Sequence, residues 1–507
     1  MAQPAVLGVT FGGRRRFFTR SPAGRIPDGG YDRRVGRRTL VCLVLLAACF
    51  DEGEGDGSGA DPTTTATTGE ATTGVDATAT SGTPMDTGSS GDTMAVDSTG
   101  APAPFCGDGN IDDGEACDDA NDDVITDGCH QCMVSGTVVW ESFAGNAGDG
   151  DFVVQVATDS TGNVYAVGAI GNGTGSEAWV RKLAPDGTVE WTRNPFPSNA
   201  PGPDILGGVH VVADDLIVAG QELVPGEDLN SVIVAYDDSG AVAFQHDYDN
   251  EVLVGGANGA LDVLGDGSGN FITVGYRFSA FFDADAVVQL HDSAGVPTGA
   301  EYVAGDAMGE AFSAAWRIAS RDGRIRASLF LNDRVEVAAW DAGFGDGTPT
   351  WSTPIVGTVA SGLQFEVYEP IPIAIEADGA SVVCTNVDVG GQQDIQIARL
   401  EVDGDPLSND TFGNPATADT CGSIAVAANG DILVAWTAAV DDANASFMVT
   451  RMTSNAQVVW ETALEGGAAG FAQGIAIAQD PEGWVIVGGA QFEQAGDRQS
   501  YVAKLVP

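Results

Sequence analysis

One period governs this chain. "DSTGNVYAVG" ends at Gly168, "GDGSGNFITVG" at Gly275 and "QDPEGWVIVGG" at Gly489. Weaker copies read "VADDLIVAG", "SRDGRIRAS", "EADGASVVCT" and "AANGDILVAW". Aligned on the turn residue before the second apolar run, the copies fall on Gly162, Asp214, Gly269, Gly323, Gly379, Gly430 and Gly483. The spacings are 52, 55, 54, 56, 51 and 53 residues. Fixed self-similarity at this period marks a repeat architecture, in which each copy is one supersecondary unit. Six of the seven turn residues are glycine, as a hairpin turn needing positive φ demands.

Each copy carries the same series of short runs. One precedes the turn ("GIAIAQD", "SIAVAAN") and a second follows it. A third lies about twenty residues on, as in "AWVRKL", "SVIVAY", "DAVVQL", "VEVAAW", "DIQIARL", "FMVTRM" and "SYVAKL". A fourth follows a polar turn, as in "APDGTVEW" and "SNAQVVW". β-Branched runs separated by Gly, Asp and Asn read as antiparallel meanders. Seven four-stranded units predict an all-β, seven-bladed β-propeller over 135–507, a ring that leaves only short sheet edges.

The last copy reaches Pro507 directly after its third run. Its missing fourth strand is found at the other end. "Val138-Val139-Trp140-Glu141-Ser142" returns as "Val458-Val459-Trp460-Glu461-Thr462", and the two tryptophans stand 320 residues apart, six periods. The segment "TVVWES" is therefore expected to close the seventh blade by pairing N- and C-terminal strands.

These repeats resemble the bacterial propeller repeats of exported proteins. The shared motif is D-x-x-G-N-hydrophobic-Y-hydrophobic-x-G, followed by a hydrophobic K-L-x-x-D-G segment. Copies one, three and seven fit it well; copies four and five drift. The Trp-Asp ends of WD40 blades and the regular double glycines of kelch are not found. The resemblance implies architecture, and propellers host both enzymes and binders.

Charge divides the chain. Met1–Ala48 holds nine arginines and two aspartates; from Cys49 onward there are 13 basic and 70 acidic residues. So acidic a surface repels polyanions, which excludes DNA or RNA as a partner. It suits solubility, and it attracts divalent cations.

The N-terminal third reads as a leader and a tether. In "RRTLVCLVLLAACFDEG" a basic flank precedes an apolar run, Leu40 to Ala48, too short to span a bilayer as a helix. Residues 1–48 are the expected export signal. "Leu46-Ala47-Ala48-Cys49" resembles a bacterial lipobox, in which the cysteine is lipidated and becomes the mature N-terminus; an ordinary cleavage site is the alternative. "Arg14-Arg15-Arg16-Phe17-Phe18" resembles a twin-arginine signal, although the apolar run starts well downstream of it. Phe50 to Phe105 is rich in Thr, Gly, Ser, Ala and Asp and cannot bury a core. Residues 49–105 are thus expected to be a lipid-anchored, disordered linker, roughly 40 Å from end to end.

"CGDGNIDDGEACDDANDDVITDGCHQC" follows. Cys106, Cys117, Cys129 and Cys132 hold a stretch too short for a hydrophobic core, so cross-links or metal must stabilise it. Zinc competes with disulfides as a reading of four cysteines. Export to an oxidising compartment favours two disulfides, with three connectivities open. The segment 106–134 resembles the short cysteine-rich repeat of myxobacterial surface proteins, with its C-G-D-G, G-E-x-C-D-D and D-G-C motifs. Ala120-Asn121 departs from the Gly-Asn usual there. Asp108, Asn110 and Asp112 alternate as oxygen ligands do in calcium loops, but Asp113 stands where an EF-hand has glycine. Calcium and a plain solvated loop are balanced readings.

In the propeller no H-E-x-x-H, G-x-S-x-G or P-loop occurs, and the whole chain has four histidines: His130, His210, His246 and His291. His210 reads as a satisfied residue of a first strand rather than a ligand, and Trp191, Trp351 and Trp460 on fourth strands as packing between blades rather than ligand stacking. Counting seven residues back from the turn gives Gln155, Asp262, Trp316, Pro372, Ser423 and Ala476 as the set facing the central channel. Gln155, Asp262, Trp316 and Ser423 are its candidate ligand contacts. Arg317 interrupts the apolar set beside them. Cys384 and Cys421 fit a bridge between blades five and six, or two buried thiols.

The expected protein is a monomeric, non-catalytic outer-membrane lipoprotein that displays a propeller to an envelope or extracellular ligand. An exported propeller enzyme acting on polysaccharide or with a bound cofactor is the alternative class, and a purely structural surface protein is the third.

Overall fold

A computed structural model describes residues 111, 115–118, 128–145, 150–171, 175–195, 204–212, 215–224, 229–248, 258–280, 283–305, 312–331, 334–356, 370–390, 392–441, 444–464, 472–494 and 497–507. Cys49, Cys106, Asp108, Asn110 and Asp112 lie outside the described residues.

Seven four-stranded antiparallel sheets follow one another round a ring. In each, the first strand is innermost. Blade 1 runs Phe152–Thr158, Val164–Gly171, Ser176–Leu183, Val189–Arg193, and blade 2 Ile205–Val212, Asp215–Leu223, Leu229–Tyr236, Val242–Tyr248. Blade 3 is Asn258–Gly265, Phe271–Ala280, Asp283–His291, Pro297–Ala304, and blade 4 Ser313–Arg321, Arg324–Leu331, Arg334–Trp340, Trp351–Pro354. Blade 5 is Ile373–Ile375, Ser381–Asp388, Gln393–Leu400, Pro406–Phe412, and blade 6 Ala418–Val426, Ile432–Asp441, Asn444–Met452, Val458–Leu464. Blade 7 takes Ala472–Gln479, Val485–Gln494 and Asp497–Leu505 from the C-terminal end, and its outer strand, Val138–Ala144, from the N-terminal side.

That outer strand pairs antiparallel with Asp497–Leu505, with Glu141 opposite Ala503 and Phe143 opposite Tyr501. The closure extends into the turn. In blade 1 the turn between third and fourth strands has Ala184 N donating to Thr188 O and Gly187 N donating to Ala184 O. In blade 7 Val506 N donates to Thr137 O and Gly136 N to Val506 O, both at 2.9 Å. Two separate chain segments thus rebuild the turn that "LAPDGTVEW" makes covalently. The turn favours glycine: φ is +84° at Gly187 and +80° at Gly136, and a Cβ on Gly187 would lie 2.7 Å from the Trp140 ring. The Trp140 indole donates to Pro185 O at 2.9 Å, and Trp191 and Trp351 reach Asp238 O and Val402 O in the next blade alike. These fourth-strand tryptophans are staples between blades.

The D-x-x-G-N motif is a side-chain cap for the turn between first and second strands. Asp159 Oδ1 accepts from Thr161 N and Asn163 N, and Asn163 Nδ2 returns a bond to Asp159 Oδ2 at 2.8 Å. Asp266 and Asp480 cap their turns through the same backbone positions. Both lysines of the chain sit at the end of a third strand, Lys182 paired with Glu190 and Asp238, and Lys504 with Asp480.

Apolar clusters fill all seven seams between blades. Cys384, on the second strand of blade 5, is bonded to Cys421 on the first strand of blade 6, with 6.2 Å between their Cα atoms. Before the ring, Cys117 is bonded to Cys129, and Cys132 is disulfide-bonded too. A two-residue hairpin, Cys129–His130 with Met133–Val134, leads into blade 7, and the His130 ring stands edge-on to Trp484 at 5.2 Å. The Cys129–Val134 hairpin therefore lies against the ring beside the turn of blade 7 that precedes Trp484. The described residues contain no helix, and so none that crosses a membrane.

Candidate functional site

The axis is built from a bulge repeated in the innermost strands. Register slips by one residue at Val154, Gly207, Leu261, Trp316, Gly422 and Ile475, in six of the seven blades. A bulge leaves its extra residue out of the ladder. The residues just after it are Gln155, Gly208, Asp262, Arg317, Ser423 and Ala476. Arg317, not Trp316, holds the position equivalent to Gln155 and Asp262. The turn in blade 4 is the reason: Arg321 pairs with Arg324 directly, a two-residue turn, whereas Thr158 and Val164 in blade 1 enclose five. Counting back from Gly323 thus overshoots by one. Trp316 instead packs between blades, with Leu261, Phe330, Ile371 and Ile373.

The axial groups form one network. Arg317 Nη1 donates to Leu261 O at 2.9 Å and Gly207 O at 3.2 Å, and Nη2 to Val154 O at 3.3 Å. Asp262, 1% exposed, accepts from Val263 N at 2.8 Å and from Ile318 N at 3.0 Å, and bonds to the Gln155 side chain. Gln155 Oε1 accepts from Val209 N at 2.7 Å. Burial raises the Asp262 pKa to about 6, against the opposing pull of Arg317 and its hydrogen bonds. Ser423, half-buried, shares the register position but none of these bonds. The axial set of blades 1 to 4 is thus engaged with itself.

Open space lies elsewhere. A cleft of about 610 Å³ runs along the seam between blades 2 and 3. Its walls are His246, Asp247 and Tyr248 of the blade 2 outer strand, and Asn258, Thr273, Arg277, Val287 and Gln289 of blade 3. At one register position of the third strand, blades 1, 6 and 7 carry Trp179, Met448 and Tyr501, each packed into the seam with the preceding blade. Blade 3 carries Val287 there, opposite Gly275; blade 2 likewise carries Val232 opposite Gly220, but Tyr165, Trp191 and Tyr236 fill that seam. The apolar cluster of the seam between blades 2 and 3 is small, seven buried residues against ten to fourteen at the others.

The lining is mixed. His246 and Tyr248 stack at 6.2 Å, and Tyr248 bonds to the Thr273 and Ser231 side chains. Arg277 is neutralised by Glu301 at 3.1 Å. Behind the wall, fully buried His291 shares a 2.8 Å bond with Thr273 Oγ1, and its Nδ1 is 3.1 Å from the Gly295 carbonyl. A carbonyl only accepts, so Nδ1 carries the proton and Nε2 accepts from Thr273. Burial lowers the His291 pKa to about 4, and His210, on the first strand of blade 2, likewise. Neither is poised for proton transfer near neutrality. Among the described residues no group of three His, Cys, Asp or Glu side chains is placed to hold a metal ion. Sequence reading named His246 only among the four histidines and did not find the cleft. Val287 alone was no signal, because blade 2 carries Val232 at the same register position in a packed seam.

No family model matches the chain, and no curated protein matches it. Solved propellers resemble its fold at low identity. YCF48 bound to D1 peptide covers 74% of this chain and 98% of its own, at 10% identity and a TM-score of 0.42. A Dyadobacter fermentans protein of unknown function covers 74% and 100%, also at 10% and 0.42. Drosophila Plexin A in complex with Semaphorin 1b covers 73% and 87%, at 8% and 0.41.

Proposed function

We propose that this protein is a non-catalytic binding module of the cell envelope, held by lipid on Cys49 and contacting its ligand through the cleft between blades 2 and 3. The observation that carries the reading is the cleft itself: among the described residues the seam of blades 2 and 3 has the smallest apolar cluster, while the axial side chains of blades 1 to 4 bond to one another and to the inner strands. Concave space lined by aromatic rings with a few polar groups is the usual form of a ligand site. The acidic surface disfavours polyanionic ligands.

Val287→Trp tests the cleft, because blade 1 accommodates Trp179 at the same register position. The variant should keep its melting temperature within a few degrees and lose the envelope component that the intact propeller retains on a column. Equal retention by both proteins would remove the cleft from the account. Anchoring is tested separately: mass spectrometry should find an acylated Cys49 at the mature N-terminus, and a Cys49→Ala protein should leave the membrane fraction. An unmodified N-terminus would refute it.

A further inference from the structure

We propose that the axis of the ring is a guanidinium-binding site which the chain loads with its own Arg317. The inference is independent of the cleft. The bulges leave backbone carbonyls outside the sheet ladders, and at the axis these are far from water. Buried carbonyls without donors are costly. Those of Val154, Gly207, Leu261 and Trp316, from four successive blades, lie 2.9 to 3.4 Å from the Arg317 terminal nitrogens. A guanidinium is flat, permanently charged and carries five donors, so one group serves several carbonyls at once. The Asp262 carboxylate on the adjoining strand supplies opposite charge, and Gln155 ties that carboxylate to blade 1. One cation suffices for one axis. That accounts for the single arginine at a register position where the other bulged blades carry Gln155, Gly208, Asp262, Ser423 and Ala476. The site holds the inner strands of blades 1 to 4 as a unit and closes the axis to a diffusing ligand.

Arg317→Ala should open space shaped for free guanidinium. The variant should melt well below the parent. Guanidinium chloride at roughly tens of millimolar, far under its denaturing range, should raise its melting temperature by several degrees. Sodium chloride of equal ionic strength should not, and the parent protein should show no such rise. Arg317→Met fills the space without charge; it should melt low and show no response to guanidinium. Arg317→Lys keeps the charge but not the fork, and should melt between alanine variant and parent. Should Arg317→Ala not fold alone, guanidinium should increase its refolded yield over sodium. A methionine or lysine variant as stable as the parent, or an alanine variant indifferent to guanidinium, would overturn the proposal.

Discussion

Single residues explain much of this ring, and two of them depart from the pattern. Ala456 has φ of +57° at the turn position that Gly187, Gly240, Gly295 and Gly404 occupy in other blades. An L-residue there carries roughly 1–2 kcal/mol of backbone strain, partly offset by the entropy that glycine loses on folding. Ala456→Gly should therefore stabilise the domain by up to about 1 kcal/mol, read as a higher denaturant midpoint; a lower midpoint would contradict the strain. Asp204 is fully buried, its Oδ2 has no hydrogen-bond partner among the described residues, and burial raises its pKa to about 6. A carboxyl with a folded pKa above its unfolded value opposes folding when ionised. The penalty is complete above the folded pKa and vanishes below the unfolded one, near 3.8. The contribution of Asp204 should rise as pH falls from about 7 to about 4, and Asp262 and Glu222, raised to about 6 and about 7, act in the same direction, whereas His210 and His291, lowered to about 4, act in the opposite one. Asp159 and Asp266 are depressed by their turn bonds, so their contribution is lost as pH falls below about 3.8. Asp204→Asn should gain about 1–2 kcal/mol at pH 7.5 and nothing at pH 4; a gain equal at both pH values would exclude ionisation as its cause. The Trp316 and Arg317 exchange shows what counting residues cannot see. The shorter turn and longer first strand of blade 4 change the count back from the glycine by one, and only hydrogen-bond register reveals it.

Elements were the legible level. Alternation and turn residues locate the four strands of each copy, because a strand half-buried between blades writes period two into the chain. The fourth-strand tryptophans and the D-x-x-G-N turns do locally what their chemistry suggests. The cleft was not legible, because it lies where a seam holds few buried apolar side chains, and that requires knowing which strands face each other. The bond between Cys384 and Cys421 joins blades across a sequence separation of 37 residues. Closing a loop of that size is worth about 3–4 kcal/mol in the chain-entropy account. Replacing both cysteines by alanine should lower the melting temperature measurably by calorimetry, with no change in the overall β content by circular dichroism. An unchanged melting temperature would mean that the apolar seam between blades 5 and 6 alone holds them.

At the scale of the whole molecule, the ring is shut by a strand that precedes all the repeats in sequence. Val138–Ala144 completes blade 7, and the turn beside it is rebuilt from Gly136, Thr137 and Val506. Without that strand, Asp497–Leu505 becomes an open edge, the seam of blades 7 and 1 loses Trp140 and Ala144, and the seam of blades 6 and 7 loses Val138. Unpaired edges of this kind template aggregation. The large excess of acidic residues keeps intact molecules apart but adds self-repulsion to a ring that cannot close. The deciding measurement is thermal melting of the propeller with and without Gly136–Ala144. The account predicts that the shortened protein loses cooperative melting or aggregates, whereas a shortened protein that melts as the intact one does would contradict closure by the two ends of the chain.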